Sequence, residues 1–218
     1  MSHKVVLVGA SGLIGSQLLQ GLIKSTEVSK IVLLLRKSLN ITADKVEELI
    51  IDFNDLNTYI SDIQGDIIFS CLGTTKAASP DAENYRKIDL EYPLQLAEIG
   101  INNGISQFHI VSSLGANSSS SSSYLRLKGE LEEKLKKLPF MSLHLYQPSL
   151  LTGNRKGFRL GEKLASAIFR LLNPILVGPL RNYRSIRAET VASFILKQSL
   201  KELKGIFTYP SKQIQELA

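Results

Sequence analysis

The chain has 218 residues, 44% of them hydrophobic and 21% charged, with a formal net charge of +6. That length fits one domain with at most a small added lobe, and the balance excludes a disordered tail. It also excludes an integral membrane protein, because no apolar stretch reaches the roughly 18 residues that a span requires, so no membrane span is expected.

The predicted elements alternate along the chain. Residues 4–8 read as a first strand, and residues 12–24 as a helix with Leu13, Ile14, Leu18, Leu22 and Ile23 at helical spacing. Residues 31–35, 46–51 and 66–71 read as strands two, three and four. A helix over 89–103 stops near Gly104, and 108–112 is strand five. The serine run at 118–123 reads as a mobile loop inside the domain. A helix over 124–138 ends before Pro139, and 142–146 is strand six. There follow a helix near 161–172, a loop with Pro174 and Pro179, a helix near 188–200 and a last strand near 206–209. This order predicts an α/β fold, a Rossmann-type doubly wound, mostly parallel sheet. It is expected as a single domain over residues 1–218, with a small C-terminal substrate lobe from about residue 149. Such sheets bind ligands at the carboxyl ends of their strands.

Gly9-Ala10-Ser11-Gly12-Leu13-Ile14-Gly15 lies between strand one and its helix. The first glycine permits a tight turn, the second a close approach to a pyrophosphate, the third close packing of helix on strand. The helix N-terminus then presents N–H groups to the phosphates, and Ser11 adds a hydroxyl. Strand two ends Leu34-Leu35-Arg36-Lys37, with no carboxylate to hold a ribose 2′-hydroxyl. Two cations there favour a 2′-phosphate, hence NADP(H) over NAD(H); the competing reading is a solvated basic turn. Asp52, at the end of strand three, is placed either to accept from an adenine amino group or to cap a helix before Leu56.

Tyr124 and Lys128 are four residues apart on one predicted helix and share a face. An ammonium beside a phenol stabilises its phenolate. Such a tyrosine can protonate a carbonyl oxygen as hydride arrives, or take a proton from an alcohol. The motifs Gly9 to Gly15, Cys71-Leu72-Gly73-Thr74-Thr75, Val111-Ser112-Ser113-Leu114-Gly115-Ala116, Tyr124-Leu125-Arg126-Leu127-Lys128-Gly129-Glu130 and Gln147-Pro148 come in that order. With them the sequence resembles the short-chain dehydrogenase/reductase superfamily, most of all the compact atypical branch that includes the Tat-interacting oxidoreductase-like proteins. The match runs from strand one to about Gly161.

The resemblance implies that Tyr124 is the proton donor or acceptor and that Lys128 holds the nicotinamide ribose and tunes Tyr124. It implies that Ser113, or alternatively Ser112, hydrogen-bonds the substrate oxygen. Leu72 and Gly73 would pass along the adenosine side, Leu151 would contact the nicotinamide end, and Arg159 would reach the cofactor or an anionic substrate. The implied activity is NADPH-dependent reduction of a small carbonyl compound, or oxidation of an alcohol, by a monomer or homodimer. Two other readings stay open: an NADP(H)-binding regulatory protein with little turnover, and a nucleotide-sugar epimerase/dehydratase-like enzyme. Many relatives carry an asparagine before strand five that organises a proton relay; the nearest residue here is Asp89. Many with larger lobes have arginine before the proline after strand six, where this chain has Gln147-Pro148.

Other features read as structural. Cys71, the only cysteine, reads as a small core residue. It leaves no intramolecular disulfide to form. With no secretory signal at the start, a cytoplasmic location is expected. His109 and His144 lie on different strands without metal-ligand spacing, so no metal is expected. Glu130, Glu132, Glu133, Lys134, Lys136 and Lys137 read as a solvated helix face. The apolar segment 160–176 reads as lining a pocket or a subunit contact rather than resting on a membrane. The basic residues, with a mild cluster at Arg181, Arg184 and Arg187, read as a solvated face, so no nucleic-acid partner is expected.

Overall fold

A computed structural model describes residues 2–74, 79, 81–153 and 184–218. In chain order the elements are β1 (His3–Val8), α1 (Leu13–Lys24), β2 (Val28–Leu35), β3 (Val46–Ile50), a 3-10 turn (Phe53–Tyr59) and β4 (Ile67–Ser70). There follow α2 (Ala82–Arg86), a π turn (Lys87–Glu91), α3 (Tyr92–Asn102), β5 (Gln107–Val111), α4 (Ser123–Leu135) and β6 (Ser142–Gln147). The short strands β7 (Leu151–Thr152) and β8 (Ile186–Arg187), then α5 (Ala188–Ser199), β9 (Gly205–Pro210) and α6 (Ser211–Leu217) complete the described elements.

Seven strands form one sheet in the order β3-β2-β1-β4-β5-β6-β9, every neighbouring pair parallel. Buried on both faces, the central strands are continuous apolar runs, as in Val5–Val8 and Ile31–Leu35. The pleat then divides them. Val5 and Leu7 pack with α1 and α5, whereas Val6 and Val8 pack with the residues of α3 and α4. Strand order reverses between β1 and β4, so the connections leaving these two strands cross opposite faces and open a crevice between them.

The described residues 188–217 of the expected C-terminal lobe build on the main sheet, adding β9 beside β6 and packing α5 on α1. The helix expected at 89–103 belongs to a longer helical stretch starting at Ala82 and broken by the π turn. The serine run is a hydrogen-bonded lead-in to α4. Ser119 N–H donates to Asn117 Oδ1 (2.8 Å), Ser122 N–H to Ser120 Oγ (3.2 Å), and Ser118 Oγ to Glu133. It lies so close to α4 that a Cβ on Gly129 would meet Ser118 N at 2.2 Å. The helix expected near 161–172 and the apolar segment 160–176 lie outside the described residues.

One face of β5, β6 and β9 carries a buried polar stack. His109 and His144 are register partners, with ring centroids 4.2 Å apart and planes within 9°. His109 is hydrogen-bonded to Tyr146 (2.9 Å) and Gln107 (3.1 Å), His144 to Ser142 (2.8 Å) and Tyr209 (3.1 Å). Every ring nitrogen is thereby satisfied without a charge. Burial lowers His109 well below the usual histidine range and His144 to about 4.

Candidate active site

The crevice is lined first by the turn after β1. Gly9 has φ +81°, and a Cβ there would stand 2.5 Å from Cys71 O; a Cβ on Gly15 would stand 2.1 Å from Gly9 O. Glycine at both positions lets β1, α1 and the end of β4 meet backbone to backbone. Gly12 N–H donates to Gly9 O (2.9 Å), and Gly12 caps α1 with no side-chain hydrogen bond and no acidic residue in the first turn. The amides of Leu13, Ile14 and Gly15 lack intrahelical acceptors by helix geometry. This positive end suits a pyrophosphate, so the residues present fit a dinucleotide. Ser11 is exposed at the turn, and Ile14 and Gly15 are buried.

At the ends of β2 and β3, Arg36 and Lys37 are exposed and have no ion pair among the described residues. Of the two carboxylates on β3, Glu47 pairs with Lys30 (2.6 Å), and Glu48 is engaged by Ser38 and by the amides of Leu39 (3.1 Å) and Ile41 (2.9 Å). These bonds hold the Glu48 carboxyl below the usual range, the Ser38 bond most strongly. Asp52 caps the 3-10 turn, its Oδ1 accepting from Asn54 N–H (2.9 Å). Sequence reasoning missed Tyr92, which opens α3. Its phenol donates to Asn54 Oδ1 (2.8 Å), its ring lies 5.6 Å from Phe53, and both Arg36 and Asp52 act on it electrostatically.

Tyr124 is half-buried in the first turn of α4, and Lys128, one turn on, is buried. Lys128 Nζ stands 2.8 Å from Asp89 Oδ1, the two side chains 3% and 1% exposed. Asp89 Oδ2 accepts from Thr74 N–H (2.9 Å) in the loop after β4, where Leu72 is half-buried and Gly73 exposed. Tyr85 of α2 faces the same place: burial raises its phenol far above the usual range, with Asp89 and Tyr124 adding to the rise. An open cleft of about 400 Å³ beside it is lined by Tyr85, Arg86, Ser123, Arg126, Leu127 and Glu130. Arg86 makes a two-pronged pair with Glu130 (2.9 and 3.2 Å) across its outer wall.

The two serines after β5 divide. Ser113 is half-buried, and its hydroxyl makes only a long contact with Leu114 O (3.4 Å). Ser112 is buried and donates to Glu132 Oε1 (2.5 Å). Glu132 also accepts from Gln147 Nε2 (2.9 and 3.0 Å). This corrects the expectation for Glu132. It is 4% exposed and ties α4 to the ends of β5 and β6, where a solvated face was expected.

Leu151 forms β7 against Ile186. Gly153 lies so near α1 that its Cβ would meet Leu13 Cδ1 at 2.9 Å, which brings the end of β7 to the glycine turn. Arg159 lies outside the described residues. Cys71 is free, and burial pushes its thiol up to about 12, so it stays protonated near neutrality. Among the described residues no group of three or more His, Cys, Asp or Glu is placed to hold a metal. No helix among them is long and apolar enough to cross a membrane.

Comparison with known proteins agrees with this architecture. Residues 5–207 match the NAD dependent epimerase/dehydratase family. Protein HTATIP2 of Rattus norvegicus is 36% identical over 172 residues, covering 77% of this chain and 71% of that protein. Protein fmp52, mitochondrial, of Aspergillus fumigatus is 27% identical over 208 residues, covering 92% and 88%. Among solved structures, the Bordetella bronchiseptica enzyme WbmH in complex with NAD+ superposes with TM-score 0.71 at 16% identity, over all of this chain and 79% of that one.

Proposed function

The chain belongs to the NAD dependent epimerase/dehydratase family, within the short-chain dehydrogenase/reductase superfamily, and on that footing we propose that it is an NADPH-dependent oxidoreductase reducing a small aldehyde or ketone. The observation that carries this reading is Lys128, buried one helical turn after Tyr124 beside the loop that follows β4. The glycine turn and the first turn of α1 take the pyrophosphate, Arg36 and Lys37 the 2′-phosphate, and Asp52 the adenine. Leu72 and Gly73 flank the adenosine and Leu151 the nicotinamide end, where Arg159 would contribute as well. When bound, the nicotinamide supplies the hydride. Ser113 donates to the substrate oxygen, Tyr124 gives it the proton, and Lys128 holds the ribose. The exposed Arg36 and Lys37 support NADPH over NADH.

Calorimetric titration with NADPH and NADH tests the cofactor, and Arg36→Ala tests its selection. Loss of one charge-assisted contact should weaken NADPH binding by about 1.5–3 kcal/mol and leave NADH unchanged. Equal affinity for both cofactors in the unaltered protein overturns the selection argument. A carbonyl screen then tests turnover, which Tyr124→Phe should abolish. Binding without reduction of any carbonyl points to the regulatory reading.

The family match favours one second reading, a nucleotide-sugar epimerase or dehydratase. A cofactor retained through purification and unexchanged by added NADPH supports it. A cytoplasmic location remains the proposal for this chain, beside a fungal relative whose name places that protein in mitochondria; cell fractionation decides.

A further inference from the structure

The proposed reaction places a carbonyl at Tyr124 and leaves the rest of the substrate without a seat. The first turns of α4 carry two neighbouring stripes. Tyr124 and Lys128 make one, and Ser123, Arg126, Leu127 and Glu130, three and four positions apart, make the next. The second stripe lines the open cleft of about 400 Å³, together with Ala82, Tyr85 and Arg86 of α2. That volume falls within the range of roughly 300–1,000 Å³ usual for small-ligand sites.

Of the three charged side chains on the cleft, two cancel. Arg86 gives Glu130 both prongs of its fork and meets Glu91 through Nε (3.2 Å). Glu130 is met again by Lys134 (3.1 Å). Arg126 is exposed and has no ion pair among the described residues. Its Nη1 donates to Ser120 O (3.0 Å). That bond fixes one corner of the guanidinium and leaves the Nε–Nη2 edge without an acceptor among the described residues. Such an edge matches the two oxygens of a carboxylate.

Tyr85 joins the cleft to the reacting centre. It lines the cleft, and its phenol also feels Asp89 and Tyr124. Held protonated by burial, it adds no charge between Tyr124 and Arg126. Its ring, with Ala82 and the buried Leu127, gives the cleft an apolar middle.

Resting on the reductase reading, we propose that this cleft seats the far end of the substrate, and that the substrate is a carbonyl acid: an aldehyde or ketone with a short apolar body and one carboxylate gripped by Arg126. A second negative charge would find no second unmatched cation on the cleft and would face Glu130. The cleft sets which carbonyl compound is taken, and proton transfer stays with Tyr124.

The probes are para-formylbenzoate and its neutral methyl ester, reduced with NADPH at low salt. The acid should exceed the ester in kcat/KM by about tenfold, chiefly through KM. Arg126→Gln should bring the two together, and Arg126→Lys, which keeps the charge and loses the fork, should keep part of the difference. Para-methylbenzoate, which has no aldehyde, reads the cleft without turnover by saturation-transfer NMR. Its signal should weaken several-fold in Arg126→Gln and in Ala82→Phe, which fills the cleft from α2 at constant charge; both positions are exposed. Equal kcat/KM for acid and ester in the unaltered protein overturns the proposal and leaves the reductase reading standing. Binding that needs both Arg126 and the space at Ala82, in a protein that reduces neither aldehyde, supports the anion-binding cleft and overturns the reductase reading. Binding indifferent to Ala82→Phe is a contact with an exposed arginine only, and it overturns the cleft, as does no binding at all.

Discussion

The turn after β1 and the surroundings of Lys128 face the same crevice and are built in opposite ways. The turn is backbone against backbone: Gly9 against Cys71 O, Gly15 against Gly9 O, with no side chain making the fit. Around Lys128 the fit is made by side chains from distant parts of the chain: Asp89 from the π turn, with Glu132 tying α4 to Ser112 and Gln147. A backbone site tolerates no added atom. A charge site tolerates exchange, provided that charges leave in pairs.

The largest effect should therefore come from one carbon. In Gly15→Ala the new Cβ must displace α1 from Gly9 O, and a destabilisation of about 4 kcal/mol or more is expected by denaturant melting. A variant melting like the unaltered protein would show that this turn yields. Next, Lys128→Met leaves Asp89 buried and unpaired at a cost of about 3–5 kcal/mol. Adding Asp89→Asn should recover more than half of that. If the double variant is no better, the two sites do not differ in kind.

A smaller effect tests a third kind of site, the neutral histidine stack. His109 and His144 have their values lowered by burial, His144 to about 4. Between about pH 6.5 and pH 4 the unfolded chain binds protons that the folded one refuses, so stability is full above that window and falls with pH through it. His144 alone should contribute a loss on the order of 2 kcal/mol between pH 7 and pH 5. His144→Gln should flatten the dependence, and an equal slope in both proteins would remove the stack from the explanation.

What was legible follows from the same contrast. Glycine spacing carries a backbone site within seven consecutive residues, and apolar runs carry the strands from β1 to β6. The spacing of Tyr124 and Lys128 set them on one helix, as found. Asp89 was placed on a helix, but its partner lies 39 positions later and the π turn that aims it has no signal in apolar periodicity. Glu132 was misread because it sits among charged neighbours on α4, and only the fold brings Ser112 and Gln147 to it. Tyr92 was missed because its partner Asn54 is 38 residues away. The pair β7 and β8 is too short to show a period of two.

The position of β9 also bears on how the protein is made. Of the seven strands it leaves the ribosome last, yet it supplies Tyr209, whose hydroxyl meets His144 from 65 residues away. Until it docks, β6 is an open edge and His144 lacks one of its hydrogen-bond partners. A nascent chain is thus committed to holding an unfinished, association-prone sheet through the synthesis of α5.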